Sequence, residues 1–132
     1  MTRHCLLTII FLLVGGLTSQ AQEKTTYPFV ERDSTLYLDV YRPTVQRADK
    51  AAVITVFGGG FVIGTRNDKL QQKTAELLVE RGFTVISIDY RLGLNDQAMV
   101  EKYHGLTKLD KLFQYCIDIA TEDCAEAVAW AQ

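Results

Sequence analysis

Residues 51–91 read AAVITVFGGGFVIGTRNDKLQQKTAELLVERGFTVISIDYR, and this stretch decides the fold. Ala51 to Phe57 is a continuous apolar, β-branched run without alternation, the pattern of a strand covered on both faces in a parallel sheet. Gly58, Gly59 and Gly60 close it. Beyond a loop, Asn67 or Asp68 is placed to cap a helix running to about Arg81, with Leu70, Thr74, Leu77 and Leu78 as its apolar face. Gly82 stands where a C-cap glycine belongs. Phe83 to Ile88 reads as a second buried strand, ending at Asp89-Tyr90-Arg91. Strand, helix and strand at this spacing predict a right-handed βαβ crossover.

On the N-terminal side, Leu36, Leu38 and Val40 alternate with Tyr37, Asp39 and Tyr41, a period-2 strand ended by Arg42-Pro43. Phe29 to Arg32, across an Asp33-Ser34 turn signal, is its expected hairpin partner, and residues 22–27 read as a polar, mobile segment. On the C-terminal side, residues 92–106 read as loop with a short helical turn near Met99. Thr107 and Asp110 resemble a capping box. Leu109, Leu112, Phe113, Cys116 and Ala120 follow helical spacing, continued by Cys124, Ala127, Val128 and Ala131. The expected fold class is α/β: a three-layer sandwich with a mostly parallel sheet, an antiparallel hairpin at its N-terminal edge, and helices on both faces.

Composition narrows the function classes. With 48% hydrophobic and 23% charged residues the chain is of ordinary globular make-up, and its net charge of -2 with no run of Lys or Arg argues against a nucleic-acid partner. Before the fold, Cys5 to Val14 is an unbroken apolar block followed by Gly15-Gly16 and by Ser19-Gln20-Ala21. A polar start, an apolar core and small residues before a cut make a signal peptide over 1–21, so the chain is expected to be exported. A spanning helix needs about 20 apolar residues, so no stable membrane anchor is expected. A lipoprotein anchor would need its cysteine after the block, and Cys5 precedes it. In an oxidising compartment the other cysteines matter. Cys116 and Cys124 lie about 12 Å apart along one helix, beyond the roughly 7 Å limit for a disulfide. They read as buried thiols or as partners of cysteines beyond Gln132. One histidine and two cysteines without ligand spacing give no metal site, and no cofactor is expected.

The glycine run carries the chemistry. Without Cβ atoms, successive glycines can turn backbone N–H groups toward a cavity. Two such groups can hold the oxyanion of a tetrahedral acyl-transfer intermediate. Glycine clusters also serve as plain turns between strand and helix. A third reading is a dinucleotide site with Asp89 on the ribose, but Gly58, Gly60 and Gly64 leave one residue too many in the last gap of that fingerprint.

LDVYRP (38–43), VFGGGFVIGTRND (56–68) and ERGFTVISIDYRL (80–92) together resemble the N-terminal half of carboxylesterase- and lipase-type α/β-hydrolases, over roughly residues 36–131. The usual form there is a His-Gly-Gly-Gly loop after the third strand and a fourth strand ending Asp-Tyr-Arg. The resemblance implies that Gly59 and Gly60 donate the oxyanion-hole N–H groups, with Gly58 making the turn. It also aligns Asp123, in TEDCAEAVAWA, with a helical acid that precedes the nucleophile segment. The sequence departs from the pattern at Phe57, where the family has histidine.

Such a hydrolase needs a G-x-S-x-G elbow, then an acid, then histidine. No such pentapeptide occurs within residues 1–132, Ser34 lies at a turn, Ser87 lies inside a strand, and His104 precedes any possible elbow. The expectation is therefore that residues 22–132 are the N-terminal part of a hydrolase domain, incomplete at the C-terminus and inactive alone. The parent would act on a small-molecule or glycan-linked ester. A non-catalytic binding or scaffold protein on the same fold is the other reading, and the sequence leaves the oligomeric state open.

The export reading has a direct check. N-terminal mass spectrometry of exported material should find Gln22 first, as glutamine or its cyclised form. Soluble protein that retains Met1 would refute the signal peptide.

Overall fold

The computed structural model describes residues 23–132, so the apolar block, Cys5 and the cleavage site after Ala21 lie outside the described residues. Strands β1 (Glu23–Glu31), β2 (Thr35–Arg42), β3 (Ala52–Val56) and β4 (Thr84–Ile88) form one sheet in the order β1-β2-β4-β3. Helix α1 (Lys69–Val79) links β3 to β4. Beyond β4 come a 3-10 turn (Gly93–Asn95), the short helix α2 (Gln97–Lys102), a second 3-10 turn (Leu106–Lys108) and the long helix α3 (Leu109–Trp130).

β3 and β4 pair in parallel, as the βαβ reading requires, but β1–β2 and β2–β4 are antiparallel. The described sheet is thus mostly antiparallel, not mostly parallel. The cause is the position of β4, which inserts between the hairpin and β3. β3 is also less covered on its faces than its apolar run suggested, since all five of its residues are intermediate or exposed. β4 is central and buried from Val85 to Ile88, whereas β3 is the sheet edge and Val56 is 45% exposed.

Pleating sorts the side chains. Leu38 faces Ile88 and Val40 faces Ile86 across the β2–β4 ladder, and these four pack with Ala127 of α3. The alternate positions Tyr41 and Val85 pack with Ala75 and Val79 of α1 on the other face. One helix therefore lies against each face of the described sheet.

The hairpin is longer than its sequence suggested. Residues 23–27 are strand rather than mobile tail, because Lys24 and Thr26 bond to the buried carboxylate of Asp39 and Tyr27 packs on Trp130. Phe29 is the extra residue of a bulge between the Pro28–Tyr37 and Val30–Leu36 pairs. Proline, which lacks a ladder donor, is tolerated there because β1 is an edge strand.

α1 begins as read, with the Asp68 carboxylate accepting from Gln71 N at 2.9 Å. It closes in a Schellman arrangement, with Gly82 N–H donating to Val79 C=O and Phe83 N–H to Leu78 C=O. Its buried face, however, is Gln71, Ala75 and Val79, while Leu70 is 72% exposed. The Gln71 side chain donates to Val56 C=O at 3.2 Å, which fixes the rotation of the helix and turns the small Ala75 onto the sheet. The Thr107–Asp110 capping box does not form. α3 is entered through the 3-10 turn, where Lys108 N–H bonds to Gly105 C=O, and Asp110 sits in the first turn without a side-chain cap.

α3 is fastened to the sheet by a buried carboxylate. Asp123 is fully buried, and it accepts from Arg91 N (2.8 Å), from the Arg91 guanidinium, and from Arg32 Nη1 (3.2 Å). Glu122 adds exposed contacts to both arginines and Glu126 one to Arg32. Bonding to Asp123, and secondarily to Glu122, pushes the Arg91 guanidinium further from deprotonation, and Arg91 holds the Glu122 carboxyl below its ordinary range. A depressed carboxyl stabilises the fold above its ordinary titration range and loses that contribution as pH falls through its lowered pKa. The exposed Glu122 pairing is screened by solvent and is the lesser part.

Removing one partner of a buried, hydrogen-bonded pair costs about 3–5 kcal/mol, because the other charge is left uncompensated. Asp123→Ala should therefore lower urea stability by an amount in that range, while Glu122→Gln barely moves the midpoint. A loss below about 1 kcal/mol for Asp123→Ala, the level of a surface pair, would show that the clamp does not hold α3.

Candidate functional site

The segment from Phe57 to Asp68 joins the C-terminal end of β3 to α1, and the way it is held defines the site. Phe57 is buried, its ring stacked on Tyr90 with centroids 4.5 Å apart, and its carbonyl accepts from the Tyr90 hydroxyl at 3.1 Å. Gly59 has φ +142°, and a Cβ there would stand 1.7 Å from the Ile63 carbonyl oxygen, so only glycine fits. Its own carbonyl accepts from the N–H groups of Val62 and Ile63 at 3.2 and 3.3 Å. Phe61 adopts a left-handed φ of +63°, a conformation that costs a non-glycine residue energy. It is retained by a bond from Leu94 N–H to its carbonyl and by edge-on contact of its ring with Tyr90. Gly64 lies so close to the Phe57 ring that a Cβ would come within 2.4 Å of it.

Gly59 and Gly60, the residues singled out in the sequence, are therefore adjacent in a tightly held, solvent-exposed turn. Among the described residues their N–H groups donate to no protein acceptor. They are available to an oxygen from outside the loop.

The far end of the segment is held by charge. The Arg66 guanidinium pairs with Asp89, Arg66 N–H donates to the same carboxylate, and Ser87 Oγ donates to Arg66 C=O at 3.1 Å. Arg66 Nε lies 3.2 Å from Asp39 Oδ1 but out of line for a hydrogen bond, so that attraction is Coulombic. Asp39, Ser87 and Thr55 form a polar row across β2, β4 and β3 beneath this arginine.

The remaining candidate groups are variously engaged or exposed. The Ser87 hydroxyl is committed to a backbone carbonyl, Ser34 stands in the exposed hairpin bend, and His104 is exposed after α2. Asp123 is engaged in the clamp on Arg91 and Arg32. Cys116 and Cys124 are free thiols, and burial raises the pKa of both. Among the described residues no group of three or more His, Cys, Asp or Glu could hold a metal ion, and no helix is long and apolar enough to cross a membrane. The dinucleotide reading finds no cradle. α1 starts five residues after Gly64, and the Asp68 carboxylate already occupies its N-terminus, where a pyrophosphate would have to sit.

Beside the loop lies a cleft of about 450 Å³ whose lining includes Phe57, Gly64, Tyr90, Arg91, Asp96 and Tyr115. The Tyr115 hydroxyl donates to Asp96 at 2.7 Å, which holds the Asp96 carboxyl below its usual range. Burial, reinforced by that bond, pushes Tyr115 up to about 12. Both groups keep their ordinary neutral-pH charge states.

The sequence reading gave no role to Tyr90, Arg66 or Asn95, whose side chain donates to Val62 C=O at 2.9 Å. Each reaches across a sequence gap of more than twenty residues to the loop or to its anchors, and no local periodicity records such a contact.

Comparison with known proteins bears on the same segment. Residues 38–101, from within β2 into α2, match the BD-FAE family model, an esterase-type α/β-hydrolase domain. A non-reducing polyketide synthase, PrhL, of Penicillium brasilianum is 27% identical over 118 residues, which are 87% of this chain and 4% of that protein. The neuroligin-like protein glit-1 of Caenorhabditis elegans is 34% identical over 70 residues, or 51% of this chain and 9% of its own length. The chain thus spans less than a tenth of these curated relatives. Among solved structures, that of ESTFA in an FE-lacking apo form aligns with a TM-score of 0.44 at 23% identity, covering 70% of this chain and 31% of that one. The stretch of this chain that carries the glycine loop and the Asp89-Tyr90-Arg91 strand end is similar to an esterase-type α/β-hydrolase domain.

Proposed function

We propose that residues 22–132 are the N-terminal portion of an exported serine hydrolase of carboxylic esters, in which Gly59 and Gly60 supply the oxyanion hole. The observation that carries this reading is the pair of glycine N–H groups left without an internal acceptor in a loop otherwise held at almost every turn. Donors of this kind stabilise the transition state most when they are fixed before the reaction begins. The nucleophile, acid and histidine would then come from chain beyond Gln132, and β3 is the strand beside which that chain would lie. The edge of β3, half-exposed and without a charged residue or proline to guard it, supports this placement, since an unguarded edge is normally paired or covered. In mechanism, the histidine would take the serine proton as the serine oxygen adds to the ester carbonyl, and the negative oxygen of the tetrahedral intermediate would accept from Gly59 and Gly60. Collapse would return that proton to the departing alcohol and leave an acyl-enzyme, which water would hydrolyse to the free acid. The substrate is a small-molecule or glycan-linked ester. Export follows from the signal-peptide reading of residues 1–21.

The coding sequence downstream of codon 132 tests the core of the proposal. An in-frame G-x-S-x-G should appear within a few dozen codons, whereas glycine or alanine in place of its serine would favour a non-catalytic scaffold.

The recombinant 22–132 chain should hydrolyse p-nitrophenyl acetate no faster than a denatured control. Saturable turnover that persists after Ser34→Ala and Ser87→Ala would overturn the assignment of the chemistry to residues outside this stretch.

In the complete enzyme, Gly59→Pro removes one donor and cannot adopt the φ of +142°, so kcat should fall by at least the roughly 10²–10³ that one lost donor costs. Gly60→Ala keeps its N–H and meets no atom within 4 Å, so it should fold and retain most activity despite its φ of +63°. A natively folded Gly59→Pro enzyme with near-normal kcat would reduce the loop to a simple turn.

A further inference from the structure

Three consecutive glycines are a poor way to hold two N–H groups still, because glycine is the residue with the greatest backbone freedom. The structure supplies the missing constraint from the strand end that follows β4. We propose that Tyr90 is the positioning residue of the glycine loop, fixing the orientation of the Gly59 and Gly60 amides through its hydroxyl and its ring. This inference rests on the oxyanion reading of those amides.

The geometry works through peptide planes. Because each peptide unit is flat, fixing a carbonyl also fixes the N–H of the next residue, which points the opposite way. The Tyr90 hydroxyl holds the Phe57 carbonyl at 3.1 Å and so sets the plane from which the glycines depart. The Gly59 carbonyl, held by Val62 and Ile63 N–H, fixes the Gly60 N–H. The Gly58 carbonyl, packed close against Gly64, belongs to the plane that carries the Gly59 N–H. Gly64 in turn rests on the Phe57 ring, and that ring stacks on Tyr90.

Tyr90 therefore touches both residues that bracket the glycines. Its ring stacks on Phe57 at 4.5 Å and meets Phe61 edge-on at 6.4 Å. The chain just beyond it continues the grip, with the Leu94 backbone N–H on the Phe61 carbonyl and the Asn95 side-chain Nδ2 on the Val62 carbonyl. Tyr90 and Phe57 are both buried, so the hydroxyl–carbonyl bond is shielded from water. Burial also raises the Tyr90 pKa, which keeps the hydroxyl protonated as a donor. In this arrangement Phe57 contributes a carbonyl acceptor and a flat ring face, and needs no polar side chain of its own.

Backbone ¹⁵N relaxation on the full chain tests this without any substrate. In the wild type, Gly59 and Gly60 should show order parameters near those of rigid backbone, about 0.85, and Tyr90→Phe should lower both below about 0.6 while β4 stays rigid. The phenylalanine keeps the ring, so the change reports the hydroxyl alone. Unchanged order in Tyr90→Phe, low order already in the wild type, or a loss spread evenly over the sheet would each overturn the inference. Phe57→Leu, which keeps the carbonyl but removes the stacked ring, carries the test should Tyr90→Phe not fold. It too should lower order at Gly59 and Gly60, and unchanged order would count against the proposal. The two readings fail separately. Near-normal kcat in a folded Gly59→Pro enzyme would sink the oxyanion assignment, whereas rigid glycine amides in Tyr90→Phe would sink the positioning role alone.

Discussion

Where β4 ends, three consecutive side chains leave the strand for three different partners, and the remainder of the architecture depends on that divergence. Asp89 goes to Arg66 at the far end of the glycine loop, Tyr90 to Phe57 at its near end, and Arg91 to the buried carboxylate of Asp123 on α3. β4 is also the central strand, buried on both faces and paired on both edges. The most buried strand of the described sheet thus carries the anchors of the glycine loop. A loop built on glycine has little order of its own, so its shape is borrowed from the strand end beside it.

The polar groups inside this arrangement have a common logic. Asp39 and Asp123 are both fully buried, and each lies beside cationic side chains arriving from a different element. A buried carboxylate is costly unless its charge and lone pairs are met, so each binds together the segments that meet it. Asp39 gathers β1, β2 and the loop, while Asp123 gathers the hairpin bend, the end of β4 and α3. The apolar clusters hold the helices to the sheet faces, while Asp123 ties α3, and Asp39 the loop, to their neighbours.

Apolar side chains are also exposed on both long helices. Leu70 and Leu77 on α1, and Leu109, Phe113, Ile117 and Val128 on α3, lie off the stripes that meet the sheet. Both helices therefore carry more apolar surface than four strands cover. On α3 the helical spacing still picked out Leu112, Cys116 and Ala127, which are buried, but on α1 it did not: the apolar stripe is broad, and Gln71, a polar residue, belongs to the buried side. A hydrogen bond from that glutamine to the end of β3 decided the rotation.

The sequence by itself determined the βαβ unit, the hairpin at its side, the caps of α1 and the glycine loop at the end of β3. Each of these is written in residues near one another: a β-branched run, an Asp68 cap, a Gly82 in the left-handed region, three glycines where a strand stops. It also drew attention to Gly59 and Gly60, through the resemblance of the motifs around them to carboxylesterase-type hydrolases. Only the tertiary structure decided that β2 pairs with β4, making the described sheet mostly antiparallel, and that β1 is ordered from Glu23. It alone showed that Tyr90, Arg66 and Asn95 hold the loop. Strand order and long-range hydrogen bonds depend on which surfaces meet, and a periodic pattern records only which way a side chain faces. The Tyr90–Phe57 contact joins residues thirty-three positions apart, and its meaning appears only when the end of one strand is brought beside the start of a loop.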